Sequence, residues 1–206
     1  MFTRKCKITF IRHGSTLYTE ENRLFDDENY PPLNENGREE MEEISSWVKN
    51  KGLKIDKIYS SSALRTIQSA RILSKKVKQD FEILNTLKSR KAGLWSGLTF
   101  NQIEEKFPNM LNEYHKNPEC FWAPNGENTK ELNTRVKEAL DKIIETNVGN
   151  RLIIITHGEI IQAAIANALE VPIKNQFKVH IPTGSATQIS YYSDWASVVY
   201  SGYLPL

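Results

Sequence analysis

Short apolar runs alternate along the chain with longer segments whose apolar residues recur at helical spacing. The apolar runs predict strands at residues 7–11, 55–59, 81–87 and 151–156. The last run, RLIIIT, is almost continuously apolar, which is typical of a strand covered on both faces. Near the end of the chain, apolar and polar residues alternate around Ser193 and Asp194, which predicts a terminal hairpin.

The segments between these strands have the spacing of amphipathic helices. One predicted helix begins after the capping residue Asn34 and ends at Gly52. Three more are predicted at residues 64–73, 132–144 and 160–169. This alternation favours an α/β fold, a three-layer sandwich with a mostly parallel central sheet, in which ligands bind beyond the carboxyl ends of the strands.

Two of the predicted strands end in the same way, with a histidine and then a glycine, in FIRHG and IIITHG. If these strands are parallel neighbours, His13 and His157 face one crevice. Arg12 at the first strand end and Arg65, one turn into the helix after the second strand, bring two further cations. Each residue alone also fits a solvated strand end or a packed helix surface. Together they predict an anion site, and a phosphoryl group is favoured because its oxygens match a guanidinium.

Composition limits the classes of function. The chain has 206 residues, 39% hydrophobic and 25% charged, as expected of one globular domain. A net charge of +2 gives no general attraction to nucleic acid or membranes, so neither is an expected partner. Cys6 and Cys120 have no metal-ligand spacing and are interpreted as free thiols. No stretch resembles a signal peptide or a membrane span, and we therefore expect a cytoplasmic protein.

Five segments in order resemble the motifs of one family. They are IRHGST, YSSSALRTIQSA, the GLWSG of residues 93–97, PNGENTKELNTRV and IIITHGEII. On these residues the chain resembles the histidine phosphatase superfamily, which includes cofactor-dependent phosphoglycerate mutases and many small phosphatases. The resemblance spans most of the chain and implies a phosphoglycerate mutase-like fold.

The resemblance also implies a chemistry for the residues at the strand ends. His13 is implied as the nucleophile that accepts the phosphoryl group as a phosphohistidine. Arg12 and Arg65 would bind the phosphate oxygens and keep His13 neutral, and His157 would be a further phosphate contact. The implied substrate is a small phosphorylated molecule. No cofactor and no metal are implied, and the oligomeric state stays open.

The chain departs from the family pattern at four positions. Ser89 occupies the place of the usual glutamate that protonates the leaving oxygen, and Ser15, Thr19 and Ser96 replace a glutamate, an asparagine and a glutamate. Serine cannot supply that proton at neutral pH. The positions expected to lie beside the substrate are Gly14, Ser15, Thr19, Ser89 and Gly158.

Another carboxylate is a hypothesis for the missing acid. Glu159, two residues after His157, is the preferred candidate, although it also fits an acid stabilised by a helix N-terminus. Asp26 and Asp27 are further candidates on a polar loop. Glu127 matches a family glutamate but fits the start of a long helix equally well.

Two readings of function follow from this sequence. The first is phosphomonoester hydrolysis through a phosphohistidine on His13, within one domain, 1–206, that carries a small helical cap at about 98–122. The second is a catalytically impaired phosphate-binding or regulatory protein, with Lys88, Arg90 and Lys91 contacting an anionic ligand. A phosphoglycerate mutase is less favoured, because mutases usually have a longer chain and the missing glutamate. The remaining histidines, at 115 and 180, match no motif and are interpreted as structural or surface residues.

Overall fold

The computed structural model describes residues 4–26 and 31–205. Within these residues the strands form one six-stranded sheet in the order β3-β2-β4-β1-β5-β6. Their bounds are β1 Arg4–Arg12, β2 Lys57–Ser60, β3 Phe81–Ile83, β4 Arg151–Thr156, β5 Ala186–Tyr192 and β6 Ala196–Tyr203. The first four strands are parallel, whereas β5 is antiparallel to β1 and β6 is antiparallel to β5. The predicted mostly parallel sheet and the terminal hairpin are confirmed.

Helices cover both faces of this sheet. Their bounds are α1 Leu17–Glu20, α2 Glu35–Asn50, α3 Leu64–Val77, α4 Phe100–Lys106, α5 Pro108–Lys116, α6 Thr129–Thr146 and α7 Gly158–Ala168. Apolar residues of α2 and α3 pack on one face, and those of α6 and α7 pack on the other, which gives the predicted three layers. No helix of the described residues is long and apolar enough to cross a membrane.

Strand β4 explains how the two histidines come together. Its side chains alternate between the two apolar layers, with Ile153 and Ile155 on the α2–α3 side and Leu152 and Ile154 on the α6–α7 side. Strand β4 therefore lies in the middle of the sandwich, as its continuous apolar run predicts. It pairs in parallel with β1 so that their last residues are partners, which places the two following histidines side by side.

The third strand is shorter than the sequence predicts. The prediction of a strand over residues 81–87 is wrong beyond Ile83, because Asn85–Leu87 form a 3₁₀ turn. The physical reason is that Leu87 turns into the core, where it is fully buried. Its carbonyl accepts a hydrogen bond of 3.0 Å from the Thr156 hydroxyl at the end of β4. The turn directs the following residues, 88–91, towards the carboxyl ends of the strands.

Residues 98–122 contain α4 and α5, and we call this segment the cap. Its apolar residues pack, together with Trp95 and Ala123 just outside the segment, in a cluster that is separate from the two layers on the sheet. The buried members of this cluster are Trp95, Ile103, Leu111 and Ala123. Some of the aromatic side chains that surround the cluster also line the pocket described next.

Candidate active site

His13 follows β1 and is buried, with only one ring nitrogen turned to the protein backbone. Its Nδ1 lies 2.8 Å from the carbonyl oxygen of Gly14, which can only accept, so Nδ1 carries the proton. The other nitrogen, Nε2, then holds a lone pair and accepts from Nε of Arg65 at 3.3 Å. Burial, followed by the charges of Arg65 and Arg12, holds the pKa of His13 well below 6.5. His13 is therefore neutral at pH 7.

The guanidinium of Arg65 joins the two histidines. Besides its contact with His13, its Nη2 lies 3.0 Å from Nδ1 of His157. Since arginine only donates, Nδ1 of His157 accepts, and Nε2 donates to the Ser61 hydroxyl at 3.0 Å. Burial and then the charge of Arg65 lower the pKa of His157 well below 6.5. Phe25 covers Arg65, with its ring centre 4.6 Å from the guanidinium carbon.

Arg12 brings the second guanidinium to the same place. Its Nη1 donates to the carbonyl of Ile181 at 2.6 Å, whereas its buried Nε has no hydrogen-bond partner among the described residues. Burial lowers the pKa of Arg12, and the charges of Glu159 and Glu40 partly oppose that shift. The backbone of Gly158 packs beside the guanidinium, since a Cβ at that residue would lie 3.4 Å from Nε. An anion would provide the missing acceptor.

The segment after His13 is held by close backbone packing and by one carboxylate. A Cβ on Gly14 would lie 2.1 Å from the carbonyl oxygen of Gly37, so the two chains approach in a way that only glycine allows. The backbone NH and the hydroxyl of Ser15 donate to the two carboxylate oxygens of Glu40, at 2.8 and 2.7 Å. The hydroxyl of Thr183 donates to the same carboxylate at 2.9 Å. No sequence motif signals Glu40, because it reaches Ser15 only through the packing of α2.

Of the five expected substrate positions, only Ser89 lines the pocket, whereas Gly14, Ser15, Thr19 and Gly158 do not. Ser15 is bound to Glu40, as described above. Thr19 forms a capping box with Thr16 at the start of α1, where each side chain binds the backbone NH of the other residue. Neither Ser15 nor Thr19 contributes to the pocket that contains His13.

Ser89 and Glu159 meet in that pocket. The hydroxyl of Ser89 donates to Oε1 of Glu159 at 2.9 Å, and the backbone NH of Arg90 donates to the same oxygen at 3.1 Å. Ser89 thus holds a carboxylate that comes from the start of α7. The pocket measures about 370 Å³ and contains both these residues and His13.

The other candidate acids have different surroundings. Asp26 is buried and accepts from the backbone NH of Ala92 at 3.2 Å, but it does not line the pocket. Asp27 lies outside the described residues. The carboxylate of Glu127 is bound at both oxygens by Arg135, at 2.7 and 2.8 Å. Arg135 also donates to two carbonyls of the 86–88 segment, so Glu127 anchors that segment.

Phe100, Tyr114 and Trp122, three aromatic residues of the predicted cap, line the outer part of the pocket. The other residues there are Arg23, Leu24, Arg90, Ala92, Gln162 and Phe177. The guanidinium carbon of Arg90 lies 3.4 Å from the ring centre of Trp122, and burial lowers the pKa of Arg90 to about 10. The two remaining histidines, at 115 and 180, are exposed and outside this pocket. Within residues 4–26 and 31–205, no group of three His, Cys, Asp or Glu side chains is arranged to hold a metal ion.

Comparisons with known proteins agree with this architecture. The chain is 28% identical to a 2,3-bisphosphoglycerate-dependent phosphoglycerate mutase of Parvibaculum lavamentivorans, over 86% of this chain and 87% of that protein. It is 25% identical to the "Bifunctional protein Rv2228c" of Mycobacterium tuberculosis over 94% of this chain, and it spans about half, 52%, of that relative's length. The solved structure of YhfR from Bacillus stearothermophilus has a TM-score of 0.88 at 21% identity, and the match covers 97% of this chain and 98% of that one. The model of the histidine phosphatase superfamily (branch 1) matches residues 8–202, and the chain belongs to that superfamily.

Proposed function

We propose that this protein hydrolyses phosphomonoesters through a phosphohistidine on His13. One observation carries the proposal. The hydrogen bond from Nδ1 of His13 to the Gly14 carbonyl leaves an unprotonated Nε2 beside Arg65, in a pocket that Arg12 and His157 also line. A neutral imidazole among guanidinium groups suits attack on a phosphoryl group, since positioning and charge stabilisation supply most of the catalysis of phosphoryl transfer.

The reaction has two steps. Arg12 and Arg65 bind the phosphate oxygens, and Nε2 of His13 attacks phosphorus while the bond from phosphorus to the alcohol oxygen breaks. The departing oxygen takes a proton from Glu159, which must enter this step protonated. A water molecule then gives a proton back to Glu159 and attacks phosphorus, which releases inorganic phosphate and restores His13. His157 accepts a hydrogen bond from Arg65 and so orients the guanidinium that binds the phosphate.

Glu159 is the proposed acid because of where Ser89 holds it. Ser89 cannot itself protonate the leaving oxygen, but its hydroxyl and the NH of Arg90 fix one oxygen of Glu159 within the pocket of His13. General-acid help is worth roughly 10²–10⁴ in rate for an alkoxide leaving group. The mutase among the relatives makes phosphoglycerate mutase activity the second candidate, which would use the same phosphohistidine.

The proposal is tested by intact mass spectrometry and by turnover of 4-nitrophenyl phosphate, whose leaving group needs little protonation. We expect the wild type to turn over and to carry an acid-labile phosphoryl adduct, and His13→Ala to lose both. His115→Ala is the matched control, because it removes an exposed histidine outside the pocket and should leave turnover unchanged.

The opposite results are equally informative. A wild type that binds phosphate without adduct or turnover would contradict the proposal and favour a phosphate-binding protein. Interconversion of 2- and 3-phosphoglycerate faster than hydrolysis would favour the mutase.

A further inference from the structure

The pocket has two ends of different chemistry. The inner end holds the two arginines and two histidines that would take the phosphoryl group. The side chains that dominate the outer end are aromatic or aliphatic: Leu24, Phe100, Tyr114, Trp122 and Phe177. A phosphomonoester bound with its phosphoryl group at His13 would place its alcohol against this outer end. The volume of about 370 Å³ lies within the range of small-molecule sites, about 300–1,000 Å³.

Two phenylalanines at the outer end are exposed although they are large and apolar. Phe100 of α4 is 46% exposed, and Phe177, from the 3₁₀ segment Ile173–Lys178, is 36% exposed. One comes from the cap and the other follows α7, so they approach the pocket from different elements. Exposed apolar rings that converge on a pocket favour a ligand that covers them, since removing apolar surface from water stabilises the complex.

The arginines of the outer end are bound by the protein itself. Two of the three nitrogens of Arg90 donate to the Glu127 carbonyl, at 2.7 Å, and to the Thr129 hydroxyl, at 3.2 Å. Its flat face lies on Trp122. Two of the three nitrogens of Arg23 are bound in the same way, to Glu21 and to the 97–102 segment. These cations hold the pocket lining together, so the outer end is not built around a second anionic group.

Lys88 and Lys91, which flank Ser89 and Arg90, do not add charge to the outer end of the pocket. Lys88 and Lys91 line a different cavity, of about 390 Å³, and they share it with the carboxylates of Glu127 and Glu131. Neither lysine lines the pocket of His13. An anionic ligand at these lysines would therefore occupy that other cavity and not the pocket of His13.

From these observations we infer that the preferred substrate is the phosphomonoester of an alcohol with an aromatic or bulky apolar body. A phosphoglycerate, which is small and carries a carboxylate besides its phosphoryl group, should be a poorer substrate. The expected turnover of such an ester rests on the proposed function. The expected preference in binding does not depend on catalysis. The rings supply the contact with the alcohol, and Arg12 and Arg65 supply the contact with the phosphoryl group.

The test uses substrates that differ only in the body of the alcohol. Ethyl phosphate and 2-phenylethyl phosphate both release an unactivated primary alkoxide, and 3-phosphoglycerate adds a carboxylate. We expect kcat/KM for the phenylethyl ester to exceed that for each of the others at least about tenfold, since a matched hydrophobic pocket discriminates by about this factor. In Phe100→Ala/Phe177→Ala this ratio should fall at least about threefold. Trp195→Ala, which removes an aromatic residue that is 46% exposed on the β5–β6 hairpin, should keep the wild-type ratio.

Binding to His13→Ala, measured by calorimetry with the same three compounds, separates this inference from the proposed function. If no compound is turned over, the proposed function fails, and tighter binding of 2-phenylethyl phosphate would still support the apolar pocket. If the enzyme turns over but treats ethyl and phenylethyl esters alike, or prefers 3-phosphoglycerate, the inference is overturned while the proposed function stands. Equal affinity of all three compounds for His13→Ala would also overturn it.

Discussion

The hydroxyl of Ser89 and the carboxylate of Glu159 are joined by a hydrogen bond of 2.9 Å, although the two residues lie 70 positions apart in the chain. The bond fixes a carboxylate from the start of α7 in the pocket that also contains His13. This pairing makes the role of Glu159 open to direct test.

Glu159→Gln should separate substrates by their leaving groups. Without the acid, hydrolysis of ethyl phosphate should fall roughly 10²–10⁴-fold, whereas 4-nitrophenyl phosphate should retain most of its rate. Ser89→Ala should produce a smaller loss with the same preference, because the carboxylate stays but loses one of its donors. Steady-state kinetics on both substrates provide the measurement, and Glu145→Gln on the exposed side of α6 is the control. Equal losses on both substrates would argue against an acid at Glu159.

Glu127 offers a contrast with the same substitution. Its carboxylate is bound by Arg135, which also holds two carbonyls of the 86–88 segment. Glu127→Gln should therefore lower the free energy of unfolding, by about 1 kcal/mol for a partly exposed ion pair. It should change the rates of hydrolysis of ethyl phosphate and 4-nitrophenyl phosphate by the same factor. Urea denaturation measures the free energy of unfolding, and steady-state kinetics on the two substrates measure the rates. A selective loss on ethyl phosphate would instead assign the acid to Glu127.

Stability should fall between pH 6.5 and pH 5.5 because of His13 and His157. Burial and the charge of Arg65 hold both folded pKa values well below 6.5, which is close to the unfolded value. Below pH 6.5 the unfolded chain takes up protons that the folded protein does not bind. The contribution is thus complete above that pH and is lost as the pH falls, by about 1.4 kcal/mol per pH unit for each histidine.

Urea denaturation over this pH range checks the slope. His13→Ala should show a shallower decline than the wild type, and His115→Ala should match the wild type because His115 is exposed. An unchanged slope in His13→Ala would show that His13 is protonated to the same extent in both states.

Gly14→Ala should damage both the fold and the activity. The added Cβ would lie 2.1 Å from the carbonyl oxygen of Gly37, so the backbone beside His13 would have to move. Overpacking of this kind typically costs about 1–3 kcal/mol. Gly52→Ala is the control, since its Cβ meets nothing within 4 Å and only its φ of +57° is strained. It should lower stability by about 1 kcal/mol and leave turnover intact. Wild-type activity in Gly14→Ala would contradict the close approach.

The site residues that follow local rules of secondary structure could be predicted from the sequence. His13 and His157 were predictable because each ends an apolar strand, and parallel pairing brings strand ends together. Arg65 was predictable from its place in the first turn of α3. The interaction of Ser15 with Glu40 was not, because it depends on how α2 packs against the loop after β1. Phe177 was missed for a similar reason, since no periodicity marks the irregular segment that carries it.

The separate apolar cluster of the cap has a consequence for how this protein diverges from its relatives. Trp95, Ile103, Leu111 and Ala123 pack among themselves and not within the layers that support β1 and β4. Substitutions that reshape α4 and α5 therefore leave the strands that carry His13 and His157 undisturbed. Under the proposed function, exchanging the cap should therefore change which alcohols fit while the residues around His13 keep their arrangement.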